Sequence, residues 1–251
     1  MQARLDILAD REGLARALAR WMGGAAEEAL AARGRFMAAT AGGSALTLLG
    51  EGLALEGIEA GRWDWFFADE RCVRKEDGRS NRGQARRELF GPLGIGGERV
   101  HEAEGERGPE GAARAYEGEI ARAFGLGRGE WPAFDAVVLG VGEDGHVASL
   151  FPGAPALFET RRRVVPVLRA PKPPAERISL SLPALNGARR MAVAASGEGK
   201  AGIVAAAFGG GAEEEPRLPF RRLRPAGGEL VWMVDRAAAG RLAAGSGKGE
   251  G

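Results

Sequence analysis

The chain has 251 residues, 45% of them hydrophobic, with 35 Lys and Arg against 34 Asp and Glu. That length suits one large domain or two small ones and can bury a core without disulfides or metal. The net charge of +1 lacks the basic excess typical of nucleic-acid and membrane-surface proteins, so we expect neither partner. Cys72 is the single cysteine, no apolar run approaches the ~20 residues of a membrane helix, and charges interrupt the first six residues. We therefore expect a cytoplasmic protein.

Short apolar runs alternate with longer segments of helical periodicity, a pattern typical of a parallel α/β sheet. In the first helix, Leu14, Leu18, Trp21 and Met22 recur at helical spacing. The predicted helices span residues 13–33, 45–51, 81–90 and 109–124, a stretch that ends at Phe208, and a last helix capped by Asp235. The predicted strands span residues 36–39, 63–67, 135–139, 164–168, 177–182, 191–195 and 230–234. We find no internal repeat or linker and predict one domain over 1–244, followed by a disordered tail over 245–251.

Polar or glycine-rich segments follow four of the apolar runs. They are Gly42-Gly43-Ser44, Asp69-Glu70-Arg71, Asp144-Gly145-His146 and Lys200. Ligands of open α/β sheets bind outside the carboxyl ends of the strands, so these four segments predict one shared cleft.

Two of these segments have a structural and a functional interpretation. The glycines before Ser44 would let the backbone approach an anion at a helix N-terminus, or would form a tight turn that Ser44 caps. His146 follows a buried strand beside Asp144 and is either a general base or a structural histidine.

A dinucleotide-binding site is the strongest competing interpretation. Gly140-x-Gly142-x-x-Gly145 matches the glycine fingerprint and follows a strand. The fingerprint also needs a helix at that point, which Pro152 would soon stop. It needs in addition an acidic residue at the end of a second strand, and Glu159 has no clear strand before it. The sequence therefore disfavours a nucleotide-dependent dehydrogenase.

Other site classes are harder to build from this sequence. The segment 196–200 resembles a P-loop, but Ala201 stands where Ser or Thr would bind magnesium. The serine-hydrolase elbow fails because Leu46 replaces its second glycine. His101, which we expect to be exposed and inert, and His146 are the only histidines, so no zinc site with sensible ligand spacing is available. We expect no metal.

The chain resembles the 6-phosphogluconolactonase family, within a wider group that includes glucosamine-6-phosphate deaminase. The resemblance covers nearly the whole chain and is strongest over residues 139–153 and over 69–73 with Ser80-Asn81. Residues 172–180 and Lys200 support it. Arg71 stands where the deaminases typically have tyrosine, and the run 149–152 differs from their Phe-Asn-Glu-Pro-like segment. Both details favour the lactonase.

The resemblance implies a single three-layer α/β/α domain with a mainly parallel open sheet. It implies 6-phospho-D-glucono-1,5-lactone as the substrate, no cofactor, and a monomer or weak homodimer. The implied catalytic residues are His146 as base, Asp144 as its support, Arg71 as oxyanion stabiliser, and Asp69, which would position Arg71 or a sugar hydroxyl. The implied phosphate-binding residues are Gly42, Gly43, Ser44, Arg177 and Lys200. An amino-sugar-phosphate deaminase, the dehydrogenase and a non-catalytic sugar-phosphate-binding module stay open as alternatives.

Overall fold

The computed structural model describes residues 3–209 and 218–242. Within them the strands are β1 (Arg4–Leu8), β2 (Met37–Thr40), β3 (Asp64–Phe67), β4 (Asp69–Arg71), β5 (Ala136–Gly140), β6 (Val164–Val167), β7 (Arg177–Leu180), β8 (Arg190–Ala195) and β9 (Glu229–Asp235). The α-helices are α1 (Arg11–Arg33), α2 (Ser44–Glu56), α3 (Asn81–Ala85), α4 (Gly108–Phe124), α5 (Leu182–Asn186) and α6 (Ala201–Phe208).

Six strands form one parallel sheet in the order β1-β9-β8-β5-β2-β3, with helices on both sides. This architecture confirms the predicted α/β fold. After β2 the chain continues to β3 on one side, whereas β5, β8 and β9 follow on the other. The strand order therefore reverses between β2 and β5. Such a reversal opens a crevice at the carboxyl ends of the two strands, which is where open α/β sheets bind ligands.

A second, antiparallel sheet of three strands, in the order β4-β7-β6, stands beside the main one. Asp69–Arg71, which we expected to be a polar segment at the end of a strand, is itself strand β4 and pairs with β7. Pro166 lies within the edge strand β6, a position that tolerates a residue without a backbone N–H. Helix α4 packs against this small sheet.

The other differences from the prediction concern individual helices and strands. The predicted strand 177–182 ends at Leu180, and the unpredicted helix α5 begins at Leu182. Helix α2 runs to Glu56 rather than residue 51 because Gly57, at φ 62°, provides its left-handed C-cap. Strand β1 was not predicted. The last helix is wrong for the described residues: turns follow Asp235, whose carboxylate accepts a hydrogen bond from the Ala238 N–H. The predicted tail over 245–251 lies outside the described residues.

The core lies between the main sheet and the helices packed on it. Strands β2 and β5 carry small and branched side chains that are almost wholly buried, as strands covered on both faces should be. Trp63, directly before β3, and Trp65 and Phe67 within it are among the largest buried side chains. None of the helices among the described residues is long and apolar enough to cross a membrane.

Candidate active site

A cleft of about 240 Å³ opens at the reversal point between β2 and β5. The segments that follow those strands form two of its walls, and β4, the loop before β7 and Lys200 form the others. The structure thus brings the four predicted segments together. The cleft is lined by four basic side chains and two carboxylates, together with His146: Arg71, Lys172, Arg177 and Lys200, with Asp69 and Glu143. An anionic ligand suits this balance of charge.

His146 and Asp144 form a hydrogen-bonded pair in the turn after β5. His146 Nδ1 lies 2.5 Å from Asp144 Oδ1, and the imidazole packs against the ring of Phe151 with centroids 4.6 Å apart. A carboxylate can only accept, so Nδ1 carries the proton and Nε2 keeps a free lone pair. Asp144 does not line this cleft, whereas His146 does. The Asp144 hydrogen bond fixes the orientation of the imidazole that faces the cleft.

The pKa values of this pair favour a neutral histidine beside an ionised aspartate. Burial lowers the pKa of His146 below its usual 6.5, although the hydrogen bond and charge of Asp144 act in the opposite direction. Burial would raise the pKa of Asp144, but the His146 bond and the charges of His146 and Lys172 outweigh it and leave that pKa low. Near neutral pH His146 can therefore accept a proton.

The glycine fingerprint after β5 is explained by this pair rather than by a nucleotide. A Cβ on Gly142 would lie 2.0 Å from His146 Nδ1 and 2.4 Å from Asp144 Oδ1, so only glycine fits beside them. The Gly142 N–H donates to the His146 carbonyl, and Gly145, at φ 82°, donates to the Gly142 carbonyl. Turns rather than a helix follow these glycines. The glycines build the histidine turn.

Asp69 and Arg71 lie on one face of β4, because residues two apart on a strand point the same way. In the antiparallel register they face Ser179 and Arg177 of β7. The Arg71 Nη1 donates to the Arg79 carbonyl at 2.7 Å, and its buried Nε has no hydrogen-bond partner among the described residues. Arg71 thus lines the cleft with its guanidinium held through Nη1.

The Asp69 carboxylate is held by side chains outside its own strand. Ser149 Oγ donates to Asp69 Oδ2 at 2.6 Å, and Asn81 Nδ2 donates to Oδ1 at 3.0 Å. In the described part of the chain these bonds, rather than one to Arg71, fix the carboxylate. Ser149 and Asn81 belong to the two segments that carry the family resemblance, but we had given neither a role.

Glu70, on the other face of β4, joins this strand to helix α3. Its carboxylate accepts the backbone N–H groups of Arg71, Asn81 and Arg82 and the hydroxyl of Ser80, at 2.6 to 3.1 Å. Burial raises the Glu70 pKa to about 6, although the three N–H donors oppose the shift. Glu70 therefore fixes the place of β4, and with it Arg71, relative to the helix.

Arg177 makes more hydrogen bonds within the protein than we expect of a residue that binds phosphate. Its Nε donates to the Pro174 carbonyl and its Nη2 to the Lys172 carbonyl, both at 2.8 Å. The guanidinium is buried and lies over Phe151. Burial lowers the Arg177 pKa, the Asp69 charge raises it and the Arg71 charge lowers it. Arg177 thus shapes the loop that carries Lys172.

Lys172 is a cleft residue that sequence reasoning missed. Its Nζ lies 3.8 Å from Asp144 Oδ1, and half of its side chain is exposed. The Lys172-Pro173-Pro174 motif was a signal for the segment, but nothing in it showed that the lysine would reach the histidine pair.

The glycine loop after β2 and Lys200 also line the cleft. The Gly43 N–H, one of the two amides expected to hold phosphate, donates instead to Gln84 Oε1 at 2.8 Å. The Ser44 amide begins helix α2 and has no partner within a helix of this geometry, and Ser44 is exposed. Lys200 Nζ donates to the Val141 carbonyl at 3.0 Å, directly before the histidine turn that begins at Gly142.

The second histidine lies elsewhere in the molecule. His101 is half-buried rather than exposed: it stacks on Phe66 at 4.1 Å, and its Nδ1 lies 2.7 Å from Glu119 Oε1. These contacts give it a structural place outside the cleft. Across residues 3–209 and 218–242, His, Cys, Asp and Glu side chains form no group of three suited to a metal ion.

The parallel sheet defines an α/β protein with a basic cleft at the carboxyl ends of its strands, where an anionic ligand fits the charge. The family model for glucosamine-6-phosphate isomerases/6-phosphogluconolactonase matches residues 9–232. The 6-phosphogluconolactonase of Mycobacterium tuberculosis is 37% identical, with 96% of this chain and 99% of that protein covered. The human 6-phosphogluconolactonase is also 37% identical, with coverage of 94% and 92%.

A solved structure of 6-phosphogluconolactonase from Trypanosoma brucei superposes with a TM-score of 0.84 at 26% identity, over 96% of this chain and 99% of that one. The chain belongs to the glucosamine-6-phosphate isomerase/6-phosphogluconolactonase family, which confirms the resemblance.

Proposed function

We propose that this chain hydrolyses 6-phospho-D-glucono-1,5-lactone to 6-phospho-D-gluconate, the lactonase step of the oxidative pentose phosphate pathway. The observation that carries the proposal is the His146–Asp144 pair, which shares one cleft with Arg71. A neutral histidine can activate the attacking water, and a fixed cation can stabilise the negative charge that develops on the carbonyl oxygen. The lactonases at 37% identity support the same reaction.

The reaction begins at His146 Nε2, which takes a proton from a water molecule as its oxygen attacks the lactone carbonyl carbon. Asp144 holds the imidazole in the required tautomer and stabilises the imidazolium that forms. The carbonyl oxygen gains a negative charge, which Arg71 stabilises from the cleft wall. As the ring C–O bond breaks, the imidazolium returns its proton to the departing C5 oxygen. A lactone is already an activated ester, so the scheme needs neither a covalent intermediate nor a cofactor.

The phosphate group is assigned to the glycine loop and Lys200, which both line the cleft. The Ser44 amide and hydroxyl lie at the N-terminus of α2, where the helix dipole favours an anion. Lys200 adds a positive charge in the same cleft. Arg177 contributes its charge, while most of its donors hold the loop before β7.

The deaminase alternative is disfavoured by the cation at position 71. Hydrolysis builds negative charge on an oxygen, so an arginine stabilises its transition state more than its ground state. Deamination passes through a ring-opened, nitrogen-bearing species, for which an extra cation is poorly suited. The family includes both kinds of enzyme, so its fold alone does not decide between them.

Two assays on the native protein test the reaction. We expect lactone hydrolysis well above the spontaneous rate and no ammonia release from glucosamine 6-phosphate. Arg71→Tyr should lose most of the lactonase activity without gaining deamination, because the 149–152 segment is unchanged. Robust ammonia release with lactone loss no faster than in buffer would establish the deaminase instead. Failure of both activities, with 6-phosphogluconate still bound, would favour the non-catalytic binding module.

We also propose the domain organisation, cellular compartment and oligomeric state of the enzyme. Residues 1–244 act as one domain, and the protein works in the cytoplasm as a monomer or weak homodimer with a small-molecule substrate. Analytical ultracentrifugation at assay concentrations tests the oligomeric state.

A further inference from the structure

The side chain of Gln84 binds both backbone groups of Gly43 in the glycine loop after β2. Its Oε1 accepts the Gly43 N–H at 2.8 Å, and its Nε2 donates to the Gly43 carbonyl at 3.0 Å. The two residues are 41 positions apart in the chain. The contact gives Gly43 the paired hydrogen bonds that a neighbouring strand would otherwise supply.

Gly43 needs such a partner because its backbone is unusual. It has φ 73° and ψ −150°, a region of the Ramachandran map that is essentially open only to glycine. Glycine is also the residue with most conformational freedom to lose, and Gly43 is exposed. The next residue, Ser44, begins helix α2 and lines the cleft. Without an external contact the loop would populate other conformations.

Gln84 is itself held in place by two polar side chains. Its Nε2 also donates to Thr47 Oγ1 at 3.2 Å and to Glu88 Oε2 at 3.0 Å, and the Thr47 hydroxyl donates to the same carboxylate oxygen at 2.7 Å. Glu88 lies in a π-helical turn, Arg86–Phe90, that continues α3. Such turns are often found at functional sites. The network fixes the orientation of the Gln84 amide, with its oxygen toward the Gly43 N–H.

Helix α3 contacts the glycine loop at a second point on the same face. A Cβ on Gly42 would lie 1.9 Å from Asn81 Oδ1, so the loop packs directly on Asn81, which is three residues before Gln84. Asn81 also donates to the Asp69 carboxylate. One short helix therefore contacts the glycine loop and the wall of the cleft that carries Arg71.

We propose that Gln84 is a positioning residue for phosphate recognition: it sets the glycine loop so that the Ser44 amide and hydroxyl face the phosphate of the substrate. This inference rests on the proposed function, which places the phosphate at Ser44. It also assigns the Gly43 N–H to Gln84 rather than to the ligand. Gln84 touches no reacting atom, so its loss affects binding of the phosphate and leaves the chemical step intact.

The test compares two substrates that differ only in the phosphate, 6-phosphoglucono-1,5-lactone and glucono-1,5-lactone. For Gln84→Ala we expect KM for the phosphorylated lactone to rise about 3- to 10-fold, the value of one or two neutral hydrogen bonds. The kcat for that substrate and kcat/KM for glucono-1,5-lactone should stay unchanged.

Gln84→Glu keeps an acceptor for Gly43 but adds a charge near Glu88 and the phosphate, so its KM should rise further. Arg86→Ala, an exposed change on the same segment, is the matched control.

Three results would overturn the inference. An unchanged KM in a folded Gln84→Ala protein would mean that the glycine loop keeps its conformation without Gln84, and a lower KM would mean that the side chain competes with phosphate for the Gly43 N–H. An equal loss on both lactones would make Gln84 a general structural residue. If the alanine variant does not fold, Gln84→Met, which keeps the side-chain length but makes neither hydrogen bond to Gly43 and adds no charge, gives the same comparison. A wild-type enzyme with equal kcat/KM for the two lactones would be a different failure, because it would remove the phosphate placement itself and this inference with it.

Discussion

Strand β5 (Ala136–Gly140) has a carboxylate at each end, and the two have opposite surroundings. Asp135, before the strand, is buried: its Oδ1 lies 2.7 Å from Arg33 Nη2 and 3.2 Å from Arg189 Nε, and its Oδ2 accepts the Met37 N–H at 2.8 Å. Asp144, after the strand, is partly exposed and bonds to a histidine that faces the cleft.

The partners of these two carboxylates explain their different roles. Arginine guanidinium and backbone N–H groups keep their protons near neutral pH. Asp135 therefore serves only to hold neighbouring segments of the chain together. Histidine changes its protonation within that range, so Asp144 can influence a reaction. A parallel strand thus separates stability at its amino end from chemistry at its carboxyl end. The predictions below test that separation.

The largest effect is expected for the histidine at the carboxyl end. His146→Ala should lower kcat by about 10²–10⁴-fold, the usual contribution of a positioned general base. Its thermal unfolding midpoint should stay near that of the wild type, because the ring lies at a cleft rather than in the core.

His101→Ala is the matched control for that change. Its ring stacks on Phe66 outside the cleft, so it should lose some stability and keep its turnover. Rates of lactone loss, corrected for spontaneous hydrolysis, decide the matter. Near-normal turnover of a folded His146→Ala protein would remove the histidine from the mechanism.

The opposite pattern is expected at the amino end. Asp135→Ala leaves the buried Met37 N–H without its acceptor and removes the partner of two arginines. Because those arginines are half-exposed, we expect a loss of about 2–4 kcal/mol in the free energy of unfolding, at the lower end of what breaking a buried ion pair costs. Urea denaturation measures it. A folded variant that kept its stability but lost turnover would contradict the separation.

The carboxyl-end residues are also the part of the site that could be predicted from the sequence. Buried parallel strands appear as apolar runs, and the polar segments 42–44 and 144–146 stand out where those runs stop. Open α/β sheets bind ligands at the carboxyl ends of their strands, which predicts that these segments share one cleft. The roles of Asp69, Arg71, Arg177 and Lys200 came from the family resemblance and stay predictions.

The rest depends on contacts between distant residues that no local pattern encodes. Strand β4 has three residues, all polar, so neither length nor alternation indicates a strand. Strand β1 is short, partly exposed and carries charges, as an edge strand can. The pairing of Gln84 with Gly43 and the approach of Lys172 to Asp144 follow from tertiary packing.

A smaller effect, on binding, is expected for Lys200 at the carboxyl ends. Removing one charge-assisted hydrogen bond costs about 1.5–3 kcal/mol, so Lys200→Ala should weaken 6-phosphogluconate binding by about 10- to 150-fold. Calorimetry measures the affinity. Lys75→Ala, an exposed lysine paired with its neighbour Glu76, is the control and should bind as the wild type does. Unchanged affinity of the Lys200 variant would place the phosphate elsewhere and weaken the assignment of ligand binding to this edge.

The smallest effect is a shift in pH dependence, and its direction sharpens the contrast between the two carboxylates. His146 acts as a base only when neutral, so activity should fall as the pH drops through its pKa, which burial holds below 6.5. Asp144 raises that pKa and Lys172 lowers it.

Asp144→Asn should therefore move the acid limb of the kcat/KM profile to lower pH. It should also reduce the plateau, since the amide no longer holds the correct tautomer. Lys172→Ala should move the limb to higher pH, whereas Asp135→Asn should leave it in place. Rate profiles from about pH 5 to 8, which span the range over which histidine titrates, separate the three variants. Shifts of the Asp144 and Lys172 variants in the same direction would mean that the limb reports a group other than His146.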